Sequence, residues 1–396
     1  MSSYCGKLHE LMNKRTRYDF NFKDKPFPKN GIYILFEKKL FKINVIFLVF
    51  VLIYLFANLS SILGDYSDQS FSRSLFLFRY PLFLFGIYYC LSNNPKTITY
   101  LFLLSSICVA FVYLDDLIQL IYNYDIFGFQ KQAHRLSGPF DDELIPGLYL
   151  FRFGLISICF LFIKTKNNFY QIFILSIILL IGVIITGEKT SSVITFLSLI
   201  IFFILRFGLK KISFIIIAFI IFISTFIVLI YSSKTYKDRI WVETQRTLGI
   251  FQDNRTFFDS EHGAMFLTSI HIWKDNKLFG GGLKTYRENC KLEKYGQIKS
   301  MVISERCSTH PHNFYLEILA ELGIIGFILF LFLIFYFFNK IYKNYLNNNN
   351  IVTLSVLCIL FGIFFPLNFT NSFFTNFNLL WITFIISLGL VKFEDF

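Results

Sequence analysis

Uninterrupted apolar runs, rather than alternation, dominate this chain. A helix needs about twenty apolar residues to cross the roughly 30 Å hydrocarbon core of a bilayer. Runs of that kind lie at 43–63, 74–92, 98–122, 146–163, 169–186, 190–206, 212–231, 314–338, 351–367 and 376–391. A barrel strand would need only about ten residues and would alternate between faces. The first run begins at residue 43, after a polar stretch, so it reads as an uncleaved span and not as a signal peptide. The pattern predicts an all-α polytopic membrane protein of about ten transmembrane helices. Its expected parts are a cytoplasmic segment 1–42, seven spans within 43–231, one large outside loop 232–313 carrying short amphipathic helices, and three spans with a short cytoplasmic end within 314–396.

Composition supports this class and excludes others. The chain is 55% hydrophobic and only 16% charged, with mean hydropathy +0.56. Those values exclude a disordered, collagen-like or disulfide-scaffold chain. A net charge of +12 by itself admits nucleic acid, a membrane surface or an anionic substrate as partner. Its distribution decides. With the N-terminus inside, the inside segments hold 19 Lys and Arg and the short outside loops hold 4, namely Arg73, Lys131, Arg135 and Lys189. This is the asymmetry that orients multi-pass proteins beside an anionic leaflet. The loop 232–313 carries 13 basic and 9 acidic residues, a small surplus suited to an anion and too small for nucleic acid. Cys290 and Cys307 are the two cysteines of an outside loop, and an oxidising compartment allows them to pair.

Chemistry is sought in outside loops and in charges at membrane depth. Four places stand out. At the end of the large loop, Ser308-Thr309-His310-Pro311-His312-Asn313 leads into a span in which Gly323 and Gly326 would let another helix pack close. Pro311 at a first helical position, capped by Thr309 or His310, would put His312 in the first turn. There the helix dipole lowers an imidazole pKa and suits a general base. A polar helix cap or a chance metal pair is the plainer alternative. Thr186-Gly187-Glu188-Lys189 forms a tight hairpin whose lysine is either an anion contact or a snorkelling side chain. His262, Phe266, Ser269, Ile270 and Trp273 follow helical spacing, and a Gly280-Gly281-Gly282 run ends the helix. That run either stops a helix flexibly or offers backbone N–H groups to an anion. Arg135 to Glu143 precedes the fourth run, and Arg79, Asp115, Asp116 and Arg152 lie in or near spans, where pairing for structure competes with substrate contact.

Taken together, these pieces resemble the O-antigen ligase and O-antigen polymerase family. Its signature of His-Asn, nine residues and Gly-x-x-Gly is met by His312-Asn313 with Gly323 and Gly326. Its Thr-Gly-x-Arg hairpin is met in part by Thr186-Gly187-Glu188-Lys189, and its Gly-rich turn by Lys277 to Gly282. The resemblance covers about 125–395, with the O-antigen ligase-related region at about 170–340. It implies a C-type glycosyltransferase-like fold in the bacterial inner membrane, with the loop and the active site facing the periplasm. It implies transfer of a glycan from undecaprenyl diphosphate to an acceptor hydroxyl with no cofactor and no metal. His312 would be catalytic, Lys189, Arg255 and His262 would face the diphosphate, Asn313 would orient the imidazole or a sugar, and Arg135 would contact substrate. Lys189 and His262 stand where the family usually has arginine, and lysine loses the bidentate fork. A ligase acting on lipid A-core in lipopolysaccharide biosynthesis, a polymerase joining lipid-linked repeats, a transporter or flippase, and a protein-directed transferase all stay open. No paired half-repeat of the transporter kind is visible.

Overall fold

The computed structural model describes residues 41–94, 96–132, 135–164, 168–232, 234–248, 250, 257–298, 306–368 and 371–392. The expected cytoplasmic segment 1–42, apart from its last two residues, and Arg255 lie outside them. Two compact units, 1–51 and 52–396, divide the chain, and the packing described below belongs to the second.

The apolar runs are helices. They are α1 Phe41–Leu63, α2 Ser67–Asn93, α3 Lys96–Tyr122, α4 Pro146–Lys164, α5 Phe169–Ile185, α6 Lys189–Phe207 and α7 Ile212–Ser232. After the large loop, which carries α8 Glu261–Asp275, come α9 Phe314–Asn348, α10 Ile351–Ile363 and α11 Asn376–Leu390. Among the described residues six helices are long and apolar enough to cross a membrane, and four shorter apolar ones accompany them. The protein is a nearly all-helical, multi-pass membrane protein. The shortest, α10, is also the most enclosed: every residue except Phe361 is buried, so it meets neighbouring helices more than lipid. In contrast α7 exposes Ile216, Ile217, Phe219 and Ile220, the all-round apolar surface expected of a lipid-facing helix.

Polar side chains pin the two ends of the bundle separately. At one end Arg206 donates to Asn349, Tyr345 donates to the Leu205 carbonyl at 2.8 Å, and Asn344 donates to the Gly389 carbonyl at 2.9 Å. At the other end lie the 123–145 segment, the 186–188 hairpin, the large loop and the 364–375 connection. Gln119 at the close of α3 accepts from the N–H groups of Ser137 and Gly138 at 2.9 and 3.0 Å. Asp115 accepts from Ile126 N–H at 2.8 Å. The 123–145 segment is thus strapped over α3, and Leu136 N–H reaches the Thr186 carbonyl at 3.1 Å. The charges Asp115 and Asp116 flagged in the span are buried beneath this strap.

The helix α9 is broken at Gly323, whose φ of 64° and ψ of −170° are not helical. An unbroken helix would bond Ile324 and Ile325 N–H to the Ala320 and Glu321 carbonyls. Instead Ile324 N–H donates to the Lys277 carbonyl at 2.9 Å and Ile325 N–H to that of Leu278 at 3.5 Å. The freed Ala320 and Glu321 carbonyls accept from Gly281 and Gly282 N–H, both at 2.9 Å. Ser60 Oγ adds bonds to the Phe279 and Glu321 carbonyls at 2.6 and 3.0 Å. The Ile324 and Ile325 N–H groups and the Ala320 and Glu321 carbonyls thus each have a partner in the loop, as a broken helix near a membrane requires. The sequence reading of Gly323 as a helix-packing glycine is corrected here: Gly323 admits a crossing loop backbone. Gly326 does pack against a helix, because a Cβ there would come within 3.1 Å of Phe56 on α1.

The large loop has its own small core. Ala264 and Ile272 of α8 pack with Tyr286, Cys290, Tyr295 and Ile298 and with Ala320 of α9. Ser260 caps α8, accepting from Gly263 N–H at 3.1 Å. A disulfide joins Cys290 and Cys307, with Cα atoms 5.3 Å apart, a separation ordinary for such a bond.

Candidate functional site

The segment 306–313 is held at both ends. Cys307 is tied to the loop core by the disulfide, and Asn313 is tied to α9. Asn313 is the N-cap: its Oδ1 accepts from Tyr315 and Leu316 N–H at 3.0 and 3.1 Å, and its Nδ2 donates to the Pro366 carbonyl at 2.8 Å. Asparagine is among the best caps because its short side chain replaces the missing intrahelical acceptor. Thr309, His310 and Pro311 therefore lie before the helix and not at its cap or first turn, which corrects the sequence reading. His312 also precedes the helix and takes a left-handed φ of 56°. That kink turns the chain between Pro311 and Asn313 and sets the ring among two others. The His312 ring centroid is 4.2 Å from that of His310 and 5.5 Å from that of His262, at the start of α8. Thr309 Oγ1 lies 2.8 Å from His310 Nδ1. The structure thus brings His262 and His312 together from positions fifty apart in sequence. Among the described residues no group of three or more His, Cys, Asp and Glu is arranged to hold a metal ion.

Two carboxylates one turn apart on α9, Glu317 and Glu321, position this corner, and the sequence reading passed over both. Glu317 accepts from Ser372 Oγ and, at 2.7 Å, from Phe373 N–H. Glu321 accepts from Lys284 N–H at 2.6 Å and from Tyr286 N–H at 3.2 Å. Both are about 1% exposed. They fasten the 372–374 connection and the 284–286 turn to the helix that follows the histidines. The signal that could have found them is a pair of acidic residues at i and i+4 in an otherwise apolar run, since charges there are retained only with partners. The glycine run 280–282 is corrected as well: two of its three N–H groups are donated to α9 carbonyls and so do not form an anion nest.

The hairpin 186–188 lies at the same end. Lys189 is the first residue of α6 and is half-buried. Its neighbour Glu188, also passed over, accepts from Gly147 and Leu148 N–H at 2.8 and 3.1 Å and from Ser191 Oγ at 2.7 Å. It therefore satisfies the open N-terminus of α4 across the bundle. Burial pushes the Glu188 carboxyl above its ordinary range, against the nearby Arg135 charge and these hydrogen bonds. Arg135 donates to the Leu144 carbonyl at 2.6 Å. Arg152 of α4 is 1% exposed and donates to Asn378 at 2.7 Å, and Asn378 donates to the Ser372 carbonyl at 2.8 Å. Contacts therefore run from Glu188 of the hairpin through α4, α11 and Ser372 to Glu317, on the helix that follows the histidines. An imidazole beside a second imidazole can accept a proton.

Comparison with known proteins adds one match. Residues 174–331 match a family model described as O-antigen ligase. The matched region holds the hairpin with Lys189, the large loop, the histidine segment and the break at Gly323. No curated protein matches the chain.

Proposed function

We propose, from the match of residues 174–331 to a family model described as O-antigen ligase, that this enzyme moves a glycan from undecaprenyl diphosphate to an acceptor hydroxyl on lipid A-core. The family is glycosyltransferase-like and works with a lipid-linked glycan donor and a glycan acceptor in general terms. The observation that carries the reading is the approach of His262 to His312, 5.5 Å between ring centroids. It sets a candidate base beside a candidate phosphate contact. In this scheme His312 takes the proton of the acceptor hydroxyl as its oxygen bonds to the anomeric carbon. The bond from that carbon to the diphosphate oxygen breaks, and the lipid diphosphate leaves with the electron pair. Lys189 and His262, with Arg255 and Arg135, are proposed to face the growing negative charge, since fixed donors at a leaving anion lower the barrier. Asn313 keeps His312 in place by capping α9. The Lys and Arg asymmetry supports a site on the periplasmic side of a bacterial inner membrane.

The lipopolysaccharide profile of a strain lacking the gene tests this directly. Loss of all O-antigen-capped lipopolysaccharide is the expected result. Capping by a single repeat would instead establish polymerisation of lipid-linked units, and an unchanged profile would remove both. A finer test concerns the leaving group. Lys189→Ala is expected to lower transfer by about 10²-fold or more, while Lys189→Arg keeps the charge and restores it. Equal transfer by wild type and both variants would reduce Lys189 to a side chain that merely reaches the interface.

A further inference from the structure

A second group of cations gathers where the large loop meets α2. Lys284 follows the glycine turn with a left-handed φ of 56°, its N–H fixed by Glu321. Arg73, in the first turns of α2, donates from Nη1 to the Lys284 carbonyl at 2.9 Å. Arg287 stands one turn beyond Lys284, and its charge and that of Arg73 both act on the Lys284 ammonium. Burial first, and then these two neighbours, hold that ammonium below the ordinary lysine range, against the opposing pull of Glu321 and Glu317. Three like charges on neighbouring residues repel one another, and the two buried carboxylates Glu317 and Glu321 offset them only in part, two against three.

Among the described residues, neither carboxylate meets a cationic side chain at hydrogen-bond range. All four of their oxygens accept from backbone N–H groups or Ser372. Among the described residues the Lys284 ammonium and the Arg287 guanidinium take part in no hydrogen bond or ion pair, and Arg287 Nε is buried without one. The chain around Arg73 indicates what further anion this positive excess suits. Phe71, Leu75 and Phe76 are 37%, 40% and 54% exposed, so Arg73 stands at the edge of a surface made for acyl chains. A phosphate carried above such chains is the chemistry that fits, because Arg and Lys both bind phosphate strongly and Arg does so with two parallel bonds.

We propose that Arg73, Lys284 and Arg287 form a binding site for the anionic phosphate headgroup of a membrane lipid, in addition to the cations placed around His312. The site does not require glycan transfer, since binding alone reads it. The full chain purified in dodecyl maltoside is titrated with dioleoyl phosphatidic acid, with dioleoyl phosphatidylcholine and with inorganic phosphate, and bound ligand is counted by native mass spectrometry. Wild type is expected to prefer phosphatidic acid. The double variant Lys284→Gln, Arg287→Gln is expected to bind it about tenfold or more weakly, as the loss of charge-assisted bonds demands, whereas Arg287→Lys keeps part of the affinity and His312→Asn keeps all of it. If the double variant does not elute as a single species, Arg287→Gln alone is read in the same way. Equal binding by the variant, or equal binding of the two lipids, overturns the site. Displacement of the lipid by millimolar inorganic phosphate overturns the lipid as its source.

Discussion

Replacing His312 is expected to lower glycan transfer by about 10² to 10⁴-fold, the usual cost of removing a positioned base, with the protein still present in the membrane at its normal level. The choice of replacement matters because His312 has a left-handed φ of 56°. Alanine loses the imidazole and is also strained there, whereas asparagine is at home in that conformation. Both His312→Ala and His312→Asn should lose transfer in a membrane assay with a lipid-diphosphate glycan donor. Only the alanine variant should show a lower melting temperature in detergent. Asn313 is untouched by either change, so the start of α9 keeps its cap. Transfer at the wild-type rate in His312→Asn would remove His312 from the chemistry, whatever alanine did.

The second large effect concerns stability. At Gly323 a Cβ would lie 2.4 Å from the Leu278 carbonyl oxygen and 2.6 Å from Gly280 N, both backbone atoms. A backbone at φ 64° and ψ −170° is essentially reserved for glycine and costs a residue with a side chain roughly 1–3 kcal/mol. The clash adds to that, since neither neighbour is a flexible side-chain end. Gly323→Ala is therefore expected to separate the 277–282 turn from α9, to lower the protein level in membranes and to depress the melting temperature of whatever is extracted. Gly280→Ala meets the Glu321 carbonyl at 2.4 Å and should behave alike. Gly86, in the middle of α2, has nothing within 4 Å of a Cβ, and Gly86→Ala serves as the neutral comparison. Wild-type melting in Gly323→Ala would mean that the loop and helix do not depend on each other.

The helices were legible because their signal is local: an apolar run long enough to cross a bilayer is a helix wherever its neighbours lie. Pairings between distant segments were harder to read. Lys277 to Gly282 looks like a helix stop by itself, and Gly323 in an apolar run looks like a site for a packed helix. Only the two segments together make a backbone crossing, and nothing in either composition names the other. The start of α9 shows competition at short range. Pro311 is a fair first residue for a helix, but Asn313 is the better cap, and it prevailed by also reaching the Pro366 carbonyl. His262 and His312 were each singled out from sequence, and the structure adds their approach. Glu188, Glu317 and Glu321 each serve backbone N–H groups on another element; the i, i+4 spacing of the last two marks them as partnered charges, but nothing in the chain names the partners. Arg255 lies outside the described residues, and its role is a matter for mutagenesis.

The crossing at Gly323 also bears on how the protein is made. The four backbone groups that α9 lends to the loop are the ones an uninterrupted helix would join to each other, Ile324 to Ala320 and Ile325 to Glu321. Before the loop docks, α9 can therefore enter the hydrocarbon as a continuous rod with no open polar backbone. Afterwards it exchanges two internal bonds for four to the loop. The bend can thus be acquired last, when the turn at 277–282 docks on α9. A chain whose loop cannot fold should still thread every span through the bilayer, and should stall one step short of the corner that holds His312.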